Sequence, residues 1–242
     1  MEWYFHGKRN GIIMSILNII LGSGMGVYEP GSITYNTPGS YNWTAPSGVY
    51  SVTVELWGGG GSGGNAASGS SYWGGGGAGG QYAMKVVTVS PGTTYGIYVA
   101  DTQVTANRNG NDTTFATSTV VAKGGMGGGN ATSSLDGSGG HGSTSGGVGD
   151  TVYAGGNGDG GYYTGCGGGG AGSTGAGGNY IEGHAGVGTP LNGGDGGDWG
   201  IKSNNGGSGN DFGGGGAGGR TGSVNISYYG SPGAQGLAIL TW

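Results

Sequence analysis

Seventy-one of the 242 residues are glycine, and they are unevenly placed. They cluster from Gly58 to Gly80 and from Gly124 to Gly219, with unbroken runs at Gly58 to Gly61, Gly74 to Gly77, Gly167 to Gly170 and Gly213 to Gly216. Glycine loses the most conformational entropy on folding and has no side chain to bury. A chain this rich in it is therefore either disordered or held by contacts between backbones. The glycine-rich part is bracketed by strand-like sequence and studded with aromatic residues instead of charge, which argues for order. The backbone-packed form expected is a bundle of polyproline-II-type helices, three residues per turn, in which glycine lets neighbours touch.

Composition narrows the class. Glycine stands at about four times its usual share, but with six prolines and no strict G-X-Y period the chain is not collagen. Charged residues make up 8% and the net charge is −5. Seven scattered Lys and Arg residues form no basic stripe, so neither nucleic acid nor membrane insertion is expected. Fifteen tyrosines and six tryptophans, set among Gly, Ser and Asn, are the vocabulary of adaptable binding surfaces. The single cysteine, Cys166, can make no internal disulfide and reads as a bystander.

Residues 1–30 differ from the rest. Lys8-Arg9 precedes the apolar run Ile12-Ile13-Met14-Ser15-Ile16-Leu17-Asn18-Ile19-Ile20-Leu21, then Gly22-Ser23-Gly24. This order imitates a secretory signal, and the run is too short to span a bilayer. The segment is expected to be retained. Three readings stand: an attachment or oligomerisation element built on Ile12, Ile13, Ile16, Leu17, Ile20 and Leu21, an uncleaved signal, or a core strand. The first is favoured, because an exposed apolar run needs a protein surface.

Residues 31–123 read as β-strands around the first glycine block. Strands are expected at Ile33–Thr37, Ser40–Thr44, Tyr50–Trp57, Gln81–Val89, Thr94–Val99, Thr113–Phe115 and Thr119–Ala122. Val52, Val54 and Leu56 alternate with Ser51, Thr53 and Glu55, the period of a half-buried strand. The turn Ser90-Pro91-Gly92 is expected to join the strands on either side of it into a hairpin. Residues 220–242 return to this pattern at Val224–Tyr229 and Leu237–Trp242, and the last strand is expected to share a sheet with the first. Tyr41, Trp43, Trp57, Tyr82 and Trp242 are expected in the core.

Between residues 124 and 219 no apolar period survives. Glycine stretches alternate with short inserts, and ten residues at about 3.1 Å each would cross a domain in roughly 30 Å. If the inserts are turns, one end collects Tyr153, Tyr180, Ile181, Trp199 and Ile201, and the other Leu135, Tyr162, Tyr163, Leu191 and Phe212.

Several pieces together resemble the phage-type glycine-rich domain. They are Gly31 to Val49, Val52-Thr53-Val54-Glu55-Leu56-Trp57 with the glycine run after it, and Val89-Ser90-Pro91-Gly92-Thr93-Thr94-Tyr95. Gly110-Asn111-Asp112-Thr113-Thr114-Phe115 and the ending Gly230 to Trp242 complete the set. The resemblance implies a mainly β and irregular fold: a short-stranded, sandwich-like β part flanking a polyglycine-II helix bundle, with a short N-terminal attachment segment. It also implies a virion tail-fibre or tail-tip adhesin, extracellular, that binds a host surface protein or polysaccharide through inserts between the glycine-rich helices. Residues 1–30 match no attachment domain of such adhesins; they would dock on a fibre or other virion protein, or on copies of the chain. The alternative is a purely structural virion or cell-surface protein: a decoration, spacer or filament subunit.

Catalysis is not expected, and neither is a cofactor. His6, His141 and His184 stand isolated among small residues, with no nucleophile motif beside them. Asp195 and Asp198 read as turn residues. Gly206-Gly207-Ser208-Gly209-Asn210-Asp211 fits the first six positions of a calcium-binding nonapeptide, but as one partial copy of a motif that works in tandem, so no metal is expected. The expected receptor-binding residues are Tyr153, Tyr180, Trp199 and Lys202, with Tyr162 and Tyr163 at the opposite end. Rigid rings in turns present large area at low entropic cost. Each such ring can equally cap the end of the glycine region.

Overall fold

The structure is a computed structural model that describes residues 29–68, 71–142, 145–161, 165–181, 183–190, 192–198, 208–210, 212–219 and 229–242. Two antiparallel sheets form its regular part. The first has the order β1-β9-β3-β4-β8 and the second β2-β5-β6-β7. The strands are β1 (Ser32–Tyr35), β2 (Gly39–Thr44), β3 (Ser51–Trp57), β4 (Tyr82–Thr88), β5 (Thr94–Val99), β6 (Thr113–Phe115), β7 (Val120–Ala122), β8 (Thr151–Tyr153) and β9 (Leu237–Thr241).

Alternation along β3 sets the architecture. Val52, Val54 and Leu56 are fully buried and face the second sheet, where Trp43, Ile97, Val99, Phe115 and Val120 meet them in one apolar core. The opposite face of the same sheet carries a second cluster, Trp57, Tyr82 and Leu237, covered by Ala171 and Phe212 from the glycine-rich part. Trp57 and Tyr82 pack edge to face at 4.9 Å. Thr113 stitches the sheets together: its hydroxyl donates to the Trp57 carbonyl at 2.6 Å and accepts from the Ala100 N–H at 3.1 Å.

The strands expected before residue 123 and at the C-terminus stand where the alternation puts them, and β1 pairs with β9 as expected. Of the expected core rings, Trp43, Trp57 and Tyr82 are buried, while Tyr41 and Trp242 pack against the core half-buried. The hairpin does not form. β4 pairs with β3 and β8, and β5 with β2 and β6, so Ser90-Pro91-Gly92 is a corner between sheets. Its geometry is held from β2: the Gly92 N–H donates to the Ala45 carbonyl at 2.8 Å and the Ala45 N–H to Thr93 at 2.9 Å. Buried Val87 and Val89 place the chain between the sheets at that point, and a turn sequence alone cannot tell a hairpin from a corner.

The polyglycine-II helix bundle expected over residues 124–219 is not seen. The described residues contain no helix; the regular structure is the two antiparallel sheets, and the fold is mainly β. β8 even falls inside the span expected to be free of strands. The glycine-rich segments are irregular backbone that hydrogen-bonds from segment to segment. Residues 58–64 continue β3, and their N–H groups turn in sequence to three neighbours. Gly58, Gly61 and Gly64 donate to Gln81, Ala78 and Gly75; Gly59 and Ser62 donate to Asn111 and Arg108; Gly60 and Gly63 donate to Ala234 and Ser231. The registers of β3 on β4 and of β3 on β9 thus carry on past the sheet, with a donor to each neighbour every third residue.

The apolar run with Ile12, Ile13, Ile16, Leu17, Ile20 and Leu21, and most of the expected strand Val224–Tyr229, lie outside the described residues.

Candidate functional site

The insert 179–186 leaves the glycine-rich part as a closed loop. At its base the Gly178 N–H donates to the Val187 carbonyl at 2.8 Å. At its tip Ile181 and His184 exchange backbone hydrogen bonds of 3.1 and 2.9 Å, and Gly183 has φ +87°, a conformation that glycine adopts without penalty. A neighbouring segment holds one side. The Tyr180 N–H donates to the Asn157 carbonyl at 3.2 Å, and the Asn157 N–H donates to the Asn179 side-chain oxygen at 2.8 Å. A second asparagine bond, Gly142 N–H to Asn157 Oδ1 at 2.8 Å, ties that support to a third segment.

This frame presents apolar side chains to solvent. Ile181 and Val187 are each 69% exposed and Tyr180 39%. With Asn179, His184 and Ala185 they line a cleft of about 440 Å³. Such a volume falls within the range of small-ligand sites. A monomeric surface tolerates single exposed apolar residues, but a concave group of them on a braced loop is the form of a contact site.

Of the residues expected to bind, Tyr180 is in this cleft and Tyr153 is not. Tyr153 lies in β8 opposite Tyr82, their rings stacked at 6.0 Å, against the second apolar cluster. Trp199, Lys202, Tyr162 and Tyr163 lie outside the described residues. From the expected far end, Phe212 covers the second cluster and Leu135 is exposed. Val187 and His184 were not anticipated as wall residues; the signal available was the Gly178-to-Val187 spacing around Gly183, with Ile181 and His184 on either side.

The remaining candidates are engaged in structure. The Asp195 carboxylate accepts the Gly188 N–H at 2.7 Å and its carbonyl accepts the Asn210 N–H, so it ties neighbouring segments together and does not lie in a turn. Cys166 is buried and forms no disulfide, and its thiol donates to the Asp198 carboxylate at 3.8 Å. Among the described residues no three His, Cys, Asp or Glu side chains gather as metal ligands. Burial raises the Tyr82 pKa well above its ordinary value, and the hydrogen bond it donates to Glu55 at 2.7 Å adds to the effect.

A second concavity escaped sequence reading altogether. The connection between β5 and β6 forms an open groove of about 590 Å³ lined by Gln103, Thr105, Asn107, Arg108, Asn109 and Asn111. The run Asn107-Arg108-Asn109-Gly110-Asn111, with amides at every second position, is the signal that could have found it.

Two antiparallel sheets closed over an apolar core, continued by backbone-packed glycine segments with surface loops, define a small, mainly β, glycine-rich domain. The chain belongs to the glycine-rich domain family, whose profile matches residues 35–242. No curated protein matches it.

Proposed function

We propose that the chain is a non-enzymatic adhesin of a virion tail fibre or tail tip, which binds a host bacterial surface protein or polysaccharide through inserts between its glycine-rich segments. The observation that carries this reading is the braced 179–186 loop, with Tyr180, Ile181 and Val187 exposed around one cleft. A purely structural spacer has no need to hold three apolar side chains in water on a loop closed at base and tip. The resemblance to phage-type glycine-rich domains supplies the virion context, and residues 1–30 would dock the chain on a fibre, on another virion protein or on copies of itself.

The test is adsorption of labelled protein to a panel of bacterial strains. The double variant Tyr180→Ala/Ile181→Ser removes two exposed anchors worth about 2 kcal/mol or more each at a binding site. Adsorption to a strain that the wild type stains should fall by about a thousandfold. The melting temperature should stay put, because the loop is held by backbone bonds that both side chains leave alone. A wild-type protein that stains no strain, or a variant that stains as the wild type does, overturns the reading.

A further inference from the structure

The β5–β6 groove is built as firmly as the 179–186 loop, but with opposite chemistry. Its main chain is pinned from below. The buried Ser62 hydroxyl donates to Thr105 at 2.6 Å and accepts the Arg108 N–H at 2.8 Å, while the Ser62 N–H donates to the Arg108 carbonyl at 2.9 Å. Asn107 takes the left-handed conformation at φ 58°, its N–H on Gly63 and its side-chain amide on Gly128. Asn109 accepts the Gly127 N–H at 2.9 Å. The loop is therefore preorganised, and ordering it on binding costs little.

Of the groove's lining residues Arg108 alone carries a charge. Asp101, which does not line it, has one carboxylate oxygen occupied by neutral donors, Asn111, Gln103 at 3.4 Å and Tyr98 at 3.5 Å, and Asp112 is paired with Lys123. Arg108 lines the groove and is exposed; its backbone N–H and carbonyl are both held by Ser62, but no described residue pairs with its guanidinium. Around it stand the Asn109 side-chain N–H donors, the Thr105 hydroxyl, and the Gln103 and Asn111 side-chain oxygens, whose amide nitrogens serve Asp101. One planar cation among neutral amides and a hydroxyl matches one carboxylate among ring hydroxyls.

We propose that this groove is a binding site for an acidic saccharide, a hexuronate-bearing oligosaccharide whose carboxylate pairs with Arg108 while the amides and Thr105 read its hydroxyls. The groove volume lies within the range of small-ligand sites. The proposal does not depend on the Tyr180 cleft: different residues line the two, and either can fail alone.

The experiment is a titration of the ¹⁵N-labelled full chain with tri-galacturonate, following the side-chain amides of Gln103, Asn109 and Asn111 and the Arg108 Nε–H. Maltotriose serves as the neutral trisaccharide and sodium acetate as the bare carboxylate. Tri-galacturonate should shift these resonances saturably, with maltotriose about tenfold weaker or more, since a charge-assisted bond is at stake. Acetate at the same carboxylate concentration should not saturate. Arg108→Gln should erase the preference for the acidic sugar without moving the melting temperature. Tyr180→Ala should leave the titration unchanged, while its effect on adsorption to cells tests the other reading. No saturable shift, equal binding of the two sugars, an acetate response matching the uronate, or a preference that survives Arg108→Gln overturns the proposal.

Discussion

β3 and the run that follows it are one stretch of chain packed in two opposite ways. From Val52 to Leu56 the backbone is kept apart from its opposite layer by side chains, and Val54 and Leu56 fill the space between the sheets. From Gly58 to Gly64 nothing separates the segment from its neighbours. A Cβ built on Gly60 would overlap the Gly214 carbonyl, on Gly61 the Met126 carbonyl, and on Gly63 the Ala217 carbonyl. Both halves satisfy their N–H groups, one by strand pairing and the other by turning to three neighbouring segments. The difference is in what can give way. A side-chain core relaxes around a change by shifting rotamers, at a graded cost. A backbone core has no rotamers to shift.

The comparison is tested most severely at Gly168. Its N–H donates to Gly77, its carbonyl accepts from Gly215, and an added Cβ would run into the carbonyl and carbon of Gly156 and the carbon of Asn157. Gly168→Val should therefore abolish soluble folding, as should Gly215→Val, whose Cβ meets Gly77 and Ala78. Expression yield and a thermal melt decide it. Wild-type melting in either variant would mean the segments can part cheaply, and the contrast with the β core would collapse.

Leu56→Ala is the matching insult to the other half. Leu56 is fully buried between the sheets, and truncating such a residue costs about 2–5 kcal/mol depending on how far the site collapses. Denaturant titration should find a folded but weakened protein. Loss of folding as complete as that in Gly168→Val would show that the two cores do not differ in kind.

The same contrast explains what sequence could and could not show. Side-chain packing leaves a period, so Val52, Val54 and Leu56 announced β3, and the strands before residue 123 and at the C-terminus were legible. Pairing was less so, because Ser90-Pro91-Gly92 looks alike in a hairpin and in a corner between sheets. Backbone packing leaves no period at all. That silence allowed the helix-bundle expectation over residues 124–219, hid β8 within an apparent insert, and placed Tyr153 in a turn when it belongs under Tyr82. Tyr180, which lines the cleft, stands out in the sequence as a ring among small residues. The groove at Arg108 was missed because its site is made of a loop braced by Ser62, 46 residues earlier in the chain.

The seam between the halves offers a smaller, pH-dependent test. Tyr82 belongs to the cluster that joins the sheet to Ala171 and Phe212, and donates to Glu55. Its folded pKa is raised above the ordinary 10.0, first by burial and then by that bond. The fold thus favours the neutral phenol: the stabilisation is complete below about pH 10 and is lost as pH rises through the folded pKa. Tyr82→Phe should cost about 1–2 kcal/mol at neutral pH and flatten the alkaline loss of stability above pH 10. An alkaline melting profile that the substitution leaves unchanged would place the pH-sensitive element elsewhere.

The smallest effect is expected at a glycine that belongs to the wrong class. Gly96 lies within β5 opposite Asn42, its carbonyl accepts the Ala116 N–H at 2.8 Å, and a Cβ added there meets nothing within 4 Å. Its φ is outside the left-handed range that penalises side chains. Ala at this position keeps every hydrogen bond and narrows the unfolded ensemble, so Gly96→Ala should stabilise the protein by about 0.4–1 kcal/mol. Gly92, at φ +77° in the corner between sheets, has equally open space but should lose stability with the same substitution, because there the conformation and not the room is limiting. Denaturant midpoints of the two variants therefore separate the three uses of glycine in this chain: a tolerated vacancy at Gly96, a conformational need at Gly92 and a packing need at Gly168. If Gly96→Ala weakens the protein as much as Gly92→Ala does, open space is a poor guide, and the packing argument for the glycine core would have to rest on hydrogen bonding alone.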